Sequence, residues 1–157
     1  LPAALEARAR GVNFDVGHGA GSFGFKVAEA AMSHGFNPAT ISSDVHRYNV
    51  RGPVFDLATT LSKFIYLGMS LDDVIRLATE APATAIRRDD IVGSLKVGAV
   101  ADVSIFDLQE GPVEFKDASG DVRNGNQLLV PVETVRSGRR FSPFHGHHHV
   151  HSHPPGF

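Results

Sequence analysis

The sequence predicts an α/β fold in which two strand-loop-helix units are followed by a stretch of β-hairpins. Three observations predict it. Two short β-prone runs end at Gly17-His18-Gly19 and at Asp44, each is followed by an apolar run at helical spacing, and glycines punctuate short apolar runs beyond residue 91. The division between the two parts therefore falls near residue 91, giving expected segments at 1–91, 92–141 and 142–157.

Leu1 to Arg10 is helix-like but has no start signal before it, so the chain is expected to begin in mid-protein. Val12, Phe14 and Val16 alternate with polar or small residues and predict a strand running into the Gly17-His18-Gly19 turn. Ser22 then serves as an expected cap for a helix carrying Phe25, Ala28, Ala31 and Met32, with Gly35 as its stop. Thr40 to Asp44 predicts the next strand. After the Arg51-Gly52-Pro53 turn, Val54, Leu57, Ala58, Leu61, Phe64 and Ile65 recur at i, i+3, i+4 and i+7, which predicts a long helix ending by Gly68. Ser70 with Asp73 three residues later makes a capping box for a further helix, and a short helical piece follows over Pro82 to Ile86. Beyond residue 91, Val103 to Leu108 and Gln127 to Val132 predict strands, Asp117 to Gly120 and Asn124-Gly125 predict turns, and Thr134-Val135 predicts a last strand.

Composition narrows the function classes. The 157 residues are 42% hydrophobic with a net charge of only −2, enough apolar content for a packed core and no basic field to hold nucleic acid or an anionic membrane. A small neutral or weakly charged substrate fits better. The absence of cysteine rules out disulfides and thiolate metal sites, and no run approaches the roughly 18 apolar residues of a membrane span. A cytoplasmic protein is the simplest expectation. Six of the nine histidines, His145, His147, His148, His149, His151 and His153, lie in the Gly- and Pro-containing tail, which is expected to be disordered. Their imidazoles offer a non-catalytic alternative, unselective binding of Zn, Ni or Cu.

His18 and Asp44 both follow predicted parallel strands, and in a β/α barrel the carboxyl ends of the strands share one mouth where chemistry is presented. The plainer alternative is that His18 satisfies a turn and Asp44 caps the following segment. The stretches Phe14-Asp15-Val16-Gly17-His18-Gly19, Ser22-Phe23 and Ile41-Ser42-Ser43-Asp44-Val45-His46 resemble the seventh and eighth strand ends of the amidohydrolase superfamily. The resemblance extends through Gly52-Pro53-Val54-Phe55-Asp56-Leu57-Ala58-Thr59-Thr60, Ala78-Thr79-Glu80-Ala81-Pro82-Ala83 and Gly93-Ser94-Leu95-Lys96-Val97-Gly98-Ala99-Val100-Ala101-Asp102. It is most similar to the amidohydrolase/deacetylase branch, related to dihydroorotases.

The resemblance implies the last two β/α units of a TIM-like metallohydrolase barrel plus the carboxyl-terminal part of a small β-sandwich. It implies a hydrolase of amide, cyclic amide or N-acetyl C–N bonds that uses a divalent metal, Zn, with an ester as the alternative bond. Asp44 would be both metal ligand and catalytic base, while His18, His46 and Arg51 would face substrate, with Tyr48 in the same loop. The glycines flanking His18 would let backbone approach a ligand closely. The remaining family ligands, a His-x-His pair, a carbamylated lysine and two further histidines, have no counterpart before residue 11. The missing amino-terminal part of the barrel is thus an expected partner, this portion alone is expected to be inactive, and homo-oligomerisation is left open.

Overall fold

The computed structural model of the chain describes residues 2–142. In chain order these form α1 (Pro2–Ala9), β1 (Asp15–Gly17), α2 (Phe25–Ser33), β2 (Thr40–Ser42), α3 (Leu57–Tyr66), α4 (Leu71–Ala78), α5 (Glu80–Ala85), β3 (Val103–Lys116), β4 (Val122–Arg136) and β5 (Arg139–Phe141). The class is mixed α/β. β1 and β2 pair in parallel, with Asp15 opposite Thr40, Val16 opposite Ile41 and Gly17 opposite Ser42. Parallel neighbours need a crossover between them, and α2 provides it. Thr40 and Ser42 both donate their hydroxyls to the Asp15 carboxylate, at 2.6 and 2.5 Å, so these side chains share one face of the pair.

Helix starts show which caps are local. Asp56 precedes α3 and accepts from the Thr59 N–H at 2.7 Å. Ser70 accepts from the Asp73 N–H at 3.1 Å and donates to the Asp73 carboxylate at 2.7 Å, the capping box expected for α4. Ser22, in contrast, does not cap α2. That helix starts three residues later, behind Gly24, and the Phe25 N–H donates to the carboxylate of Asp117 at 2.9 Å. The cap therefore comes from a turn 92 residues away in the chain. Pro82 sits in the first turn of α5, where a missing N–H costs no helical bond.

β3 and β4 form a long antiparallel hairpin closed at residues 117–121, and β5 adds a third strand in the order β3-β4-β5. Two expectations are corrected here. Asn124-Gly125 is no turn but part of β4, with Gly125 opposite Val113. A Cβ at Gly125 would lie 2.7 Å from Cε2 of Phe115, so the glycine makes room for a ring and does not reverse the chain. Nor is Thr134-Val135 the end of the sheet, because Ser137-Gly138 turns the chain into β5 and Thr134 pairs with Phe141.

The parts on either side of residue 91 share one core. Phe115 and Leu129 of the hairpin are packed with Phe23, Phe25, Leu61, Phe64, Val74 and Leu77. Each such buried side chain contributes roughly 1.5–3 kcal/mol. Ser62, inside α3, accepts from the Leu129 N–H at 2.9 Å and donates to the Ala58 carbonyl at 2.8 Å, so the helix–sheet contact has its polar groups satisfied. Among the described residues no helix is long and apolar enough to cross a membrane. The histidine-rich tail lies outside the described residues.

Candidate active site

The carboxyl ends of β1 and β2 lead into two loops on the same side of the pair. Such ends are where open and closed parallel sheets place their ligands. Asp44 follows β2 with φ of 48°, a left-handed conformation that aspartate adopts more readily than most residues. Its carbonyl accepts from the Asn49 side-chain amide at 3.0 Å, and the Asn49 side-chain oxygen accepts from the His46 N–H at 2.7 Å. Asn49 is completely buried, so one amide fixes both sides of the loop that carries Asp44.

The Asp44 side chain is exposed and leans on a space left by glycine. A Cβ at Gly19 would stand 2.6 Å from Asp44 Oδ2 and 3.2 Å from the Ser22 hydroxyl. Gly19 also has φ of +56°. Its N–H donates to the Ser43 carbonyl at 3.2 Å, which ties the first loop to the second beside Asp44.

His18 is fully buried, and both ring nitrogens are engaged by protein. Nδ1 donates to the Gly19 carbonyl at 2.9 Å, and Nε2 accepts from the Lys63 ammonium at 2.7 Å. The tautomer follows from the partners, since a lysine can only donate to the second nitrogen. Burial, then the Lys63 charge, holds the imidazole below its ordinary pKa, against the opposing pull of the Gly19 carbonyl. The ring stacks on Phe23 with centroids 4.8 Å apart. The expectation that this ring meets substrate finds no free nitrogen here.

Lys63 carries no sequence signal of its own, yet it is only 1% exposed. Its ammonium donates to His18 Nε2, to the Pro53 carbonyl at 2.8 Å and to the Lys116 carbonyl at 2.7 Å, three hydrogens to three acceptors. Burial pushes its pKa down to about 7, with the Asp117 carboxylate opposing. Burial pushes the Asp117 carboxyl up, but the N–H groups of Phe25, Asp121, Ser119 and Gly120 outweigh it and hold the pKa below the ordinary value.

His46 and Arg51 lie on the exposed side of the second loop. His46 Nδ1 accepts from the Tyr48 N–H at 3.3 Å. The Arg47 guanidinium covers the Tyr48 ring at 4.3 Å and hydrogen-bonds its hydroxyl, which orders the outer rim of the loop. A groove of about 640 Å³ beside α4, lined by Leu71, Ile75, Leu95, Phe106 and Leu129 among others, shares no residue with this cluster. Among the described residues no three His, Cys, Asp or Glu side chains are grouped to hold a metal. The exposed Asp44 carboxylate suits one position around a hard divalent cation, and the remaining ligands would have to come from elsewhere.

Residues 21–140, which include Asp44, His46, Arg51 and Lys63, match the family model described as the amidohydrolase family. The chain belongs to the amidohydrolase family. Within it, this amidohydrolase chain is 44% identical over 125 residues to a deacetylase of Brucella anthropi, covering 80% of the chain and 31% of that protein. It is 37% identical over 137 residues to a deacetylase of Enterococcus faecalis, covering 87% of the chain and 37% of the relative. Among solved structures it is similar to an adenine deaminase, with a TM-score of 0.84 and 36% identity over 89% of this chain and 38% of that one. A dihydroorotase structure matches with a TM-score of 0.78 and 39% identity, covering 88% of this chain and 36% of that one. The amidohydrolase chain thus spans about a third of the length of these relatives.

Proposed function

We propose that this chain is the carboxyl-terminal portion of a metal-dependent hydrolase that cleaves an amide, cyclic amide or N-acetyl C–N bond of a small molecule in the cytoplasm. β1 and β2 are then the seventh and eighth strands of a β/α barrel, and the β3-β4-β5 sheet is half of a composite β-sandwich. The observation that carries this reading is the exposed Asp44 carboxylate, set by a buried asparagine and a glycine cradle at the end of a parallel strand. The names of the relatives, deacetylase, dihydroorotase and adenine deaminase, point to C–N bonds. Their greater length accounts for ligands that this chain does not supply.

A divalent metal, Zn in this proposal, would supply the acidity that lets bound water act as a nucleophile near neutral pH. Asp44 would contribute one oxygen ligand to it and would take the proton that the water gives up as it attacks the acyl carbon. It then returns that proton to the departing nitrogen, which leaves as a neutral amine. His46 and Arg51, on the exposed side of the loop, border the substrate. Asn49 holds the backbone of the loop that carries Asp44.

The test uses the longest polypeptide that contains this chain, ended at Ser142 so that tail histidines cannot bind metal. Purified protein is expected to hold about one or two Zn by elemental analysis and to hydrolyse members of a panel of N-acetylated amino acids and cyclic amides. Asp44→Asn is expected to cut turnover by at least about 100-fold. Equal turnover in the two proteins would remove Asp44 from the chemistry.

A further inference from the structure

We infer that Lys63 and His18 are a positioning pair for Asp44, acting through the backbone of Gly19, an inference that rests on the assignment of Asp44 as the reactive carboxylate. The contacts form a continuous chain. Lys63 donates to His18 Nε2, His18 Nδ1 donates to the Gly19 carbonyl, and a Cβ on Gly19 would stand 2.6 Å from Asp44 Oδ2, so the carboxylate rests in the space that glycine leaves. The other end of the Gly19 residue is held too, its N–H bonded to the Ser43 carbonyl. Gly19 is thereby held at both its N–H and its C=O, and with it the wall against which the carboxylate rests.

A lysine at this point is costly unless its hydrogens are used. Burying an ammonium carries a penalty of several kcal/mol, and a methionine of similar length would fill the same volume without it. What lysine adds is three directed bonds. Their acceptors belong to the loop after β1, to Pro53 in the loop after β2, and to Lys116 at the end of β3. Two of these three segments are the ones that carry Gly19 and Asp44. The ammonium therefore locks the spacing between the two loops as well as the imidazole, and the third bond anchors the assembly to the hairpin.

The experiment again uses the longest polypeptide containing this chain, ended at Ser142. Zn affinity is measured by competition with a chelator, and kcat and KM are measured on whichever N-acetylated amino acid is hydrolysed fastest. Lys63→Met is expected to melt cooperatively, to bind Zn about 10–100-fold more weakly, and to lose kcat by a similar factor while KM stays within about twofold. Gly19→Ala, which leaves the lysine contacts intact and pushes directly on the carboxylate, should give the same pattern. On an Asp44→Asn background, Lys63→Met should weaken Zn binding no further, because the route ends at Asp44.

Wild-type Zn affinity and kcat in folded Lys63→Met or Gly19→Ala, or an undiminished extra loss on the Asp44→Asn background, would overturn the inference. Should Lys63→Met fail to fold, Lys63→Gln, which keeps two donors, is judged by the same criteria. Failure of the underlying assignment looks different. In that case Asp44→Asn alone leaves Zn affinity and turnover unchanged, whatever Lys63 does.

Discussion

At Lys63 two demands oppose one another. Three acceptors call for an ammonium, while burial favours the neutral amine and brings the pKa down to about 7. Because the unfolded lysine titrates near 10.5, the unfolded chain binds more protons than the folded one between about pH 7 and pH 10.5. Stability linked to this group therefore rises with pH across that window. The titratable groups facing it are His18, neutral across this window, and the Asp117 carboxylate, ionised throughout. Urea denaturation at pH 7 and pH 9 is expected to show wild type gaining stability relative to Lys63→Met as pH rises, and a difference that is constant with pH would contradict it. Little of this was legible in the sequence. Asp44 stands out in the sequence as a candidate because a strand end and a family-like motif coincide there. Lys63 lies in a helix buried on every side from Ala58 to Phe64, and its acceptors are backbone carbonyls and an imidazole brought in from elsewhere. Asn49 carries no sequence signal for the same reason, since its partners meet it only once the loop has closed.

Among the elements, α4 and the β3–β4 hairpin mark the two extremes of legibility. The Ser70-Asp73 box of α4 is complete within four residues, so reading and structure agree. The hairpin depends on partners across strands, and there Asn124-Gly125 has the composition of a turn while its glycine lies beneath Phe115 within β4. Gly125→Ala is expected to cost about 1–3 kcal/mol, seen as a lower urea midpoint, because the added methyl must displace a buried ring. Asp117 is the other device of the hairpin, accepting from Phe25, Ser119 and Asp121. Removing it as Asp117→Ala is expected to cost on the order of 2–3 kcal/mol, since a helix cap and a charged turn are lost together. Its depressed pKa adds a pH signature. The unfolded carboxyl takes up protons first, so the stability it provides is full above about pH 4 and falls as the solution is acidified. Acid titration followed by circular dichroism should show Asp117→Asn lacking that component.

Over the whole molecule, the change in composition near residue 91 marks a change of architecture but not a break in packing. Phe115 and Leu129 complete a core begun by Phe23, Phe25 and Phe64. A polypeptide of residues 92–142 is thus expected to be unfolded by circular dichroism and by amide hydrogen exchange, because its apolar face has nothing to cover it. A cooperative melt for that piece would argue for an independent β unit. The α/β class and the order of helices were readable because hydrophobic spacing is a local property. The shared core was not, because it depends on which face of a two-sided hairpin meets α3.

The cap that Asp117 supplies to α2 also sets an order of events in time. Phe25 leaves the ribosome long before its partner exists, and the cap on its N–H must wait for 92 further residues to be made. Lys116, next to Asp117, brings the last acceptor of the Lys63 ammonium with the same arrival. The neighbourhood of Lys63 and Gly19 is therefore completed only when the end of β3 has been made. A nascent chain halted before the hairpin would hold Gly19, Asp44 and Lys63 and still lack the Lys116 carbonyl and the Asp117 cap.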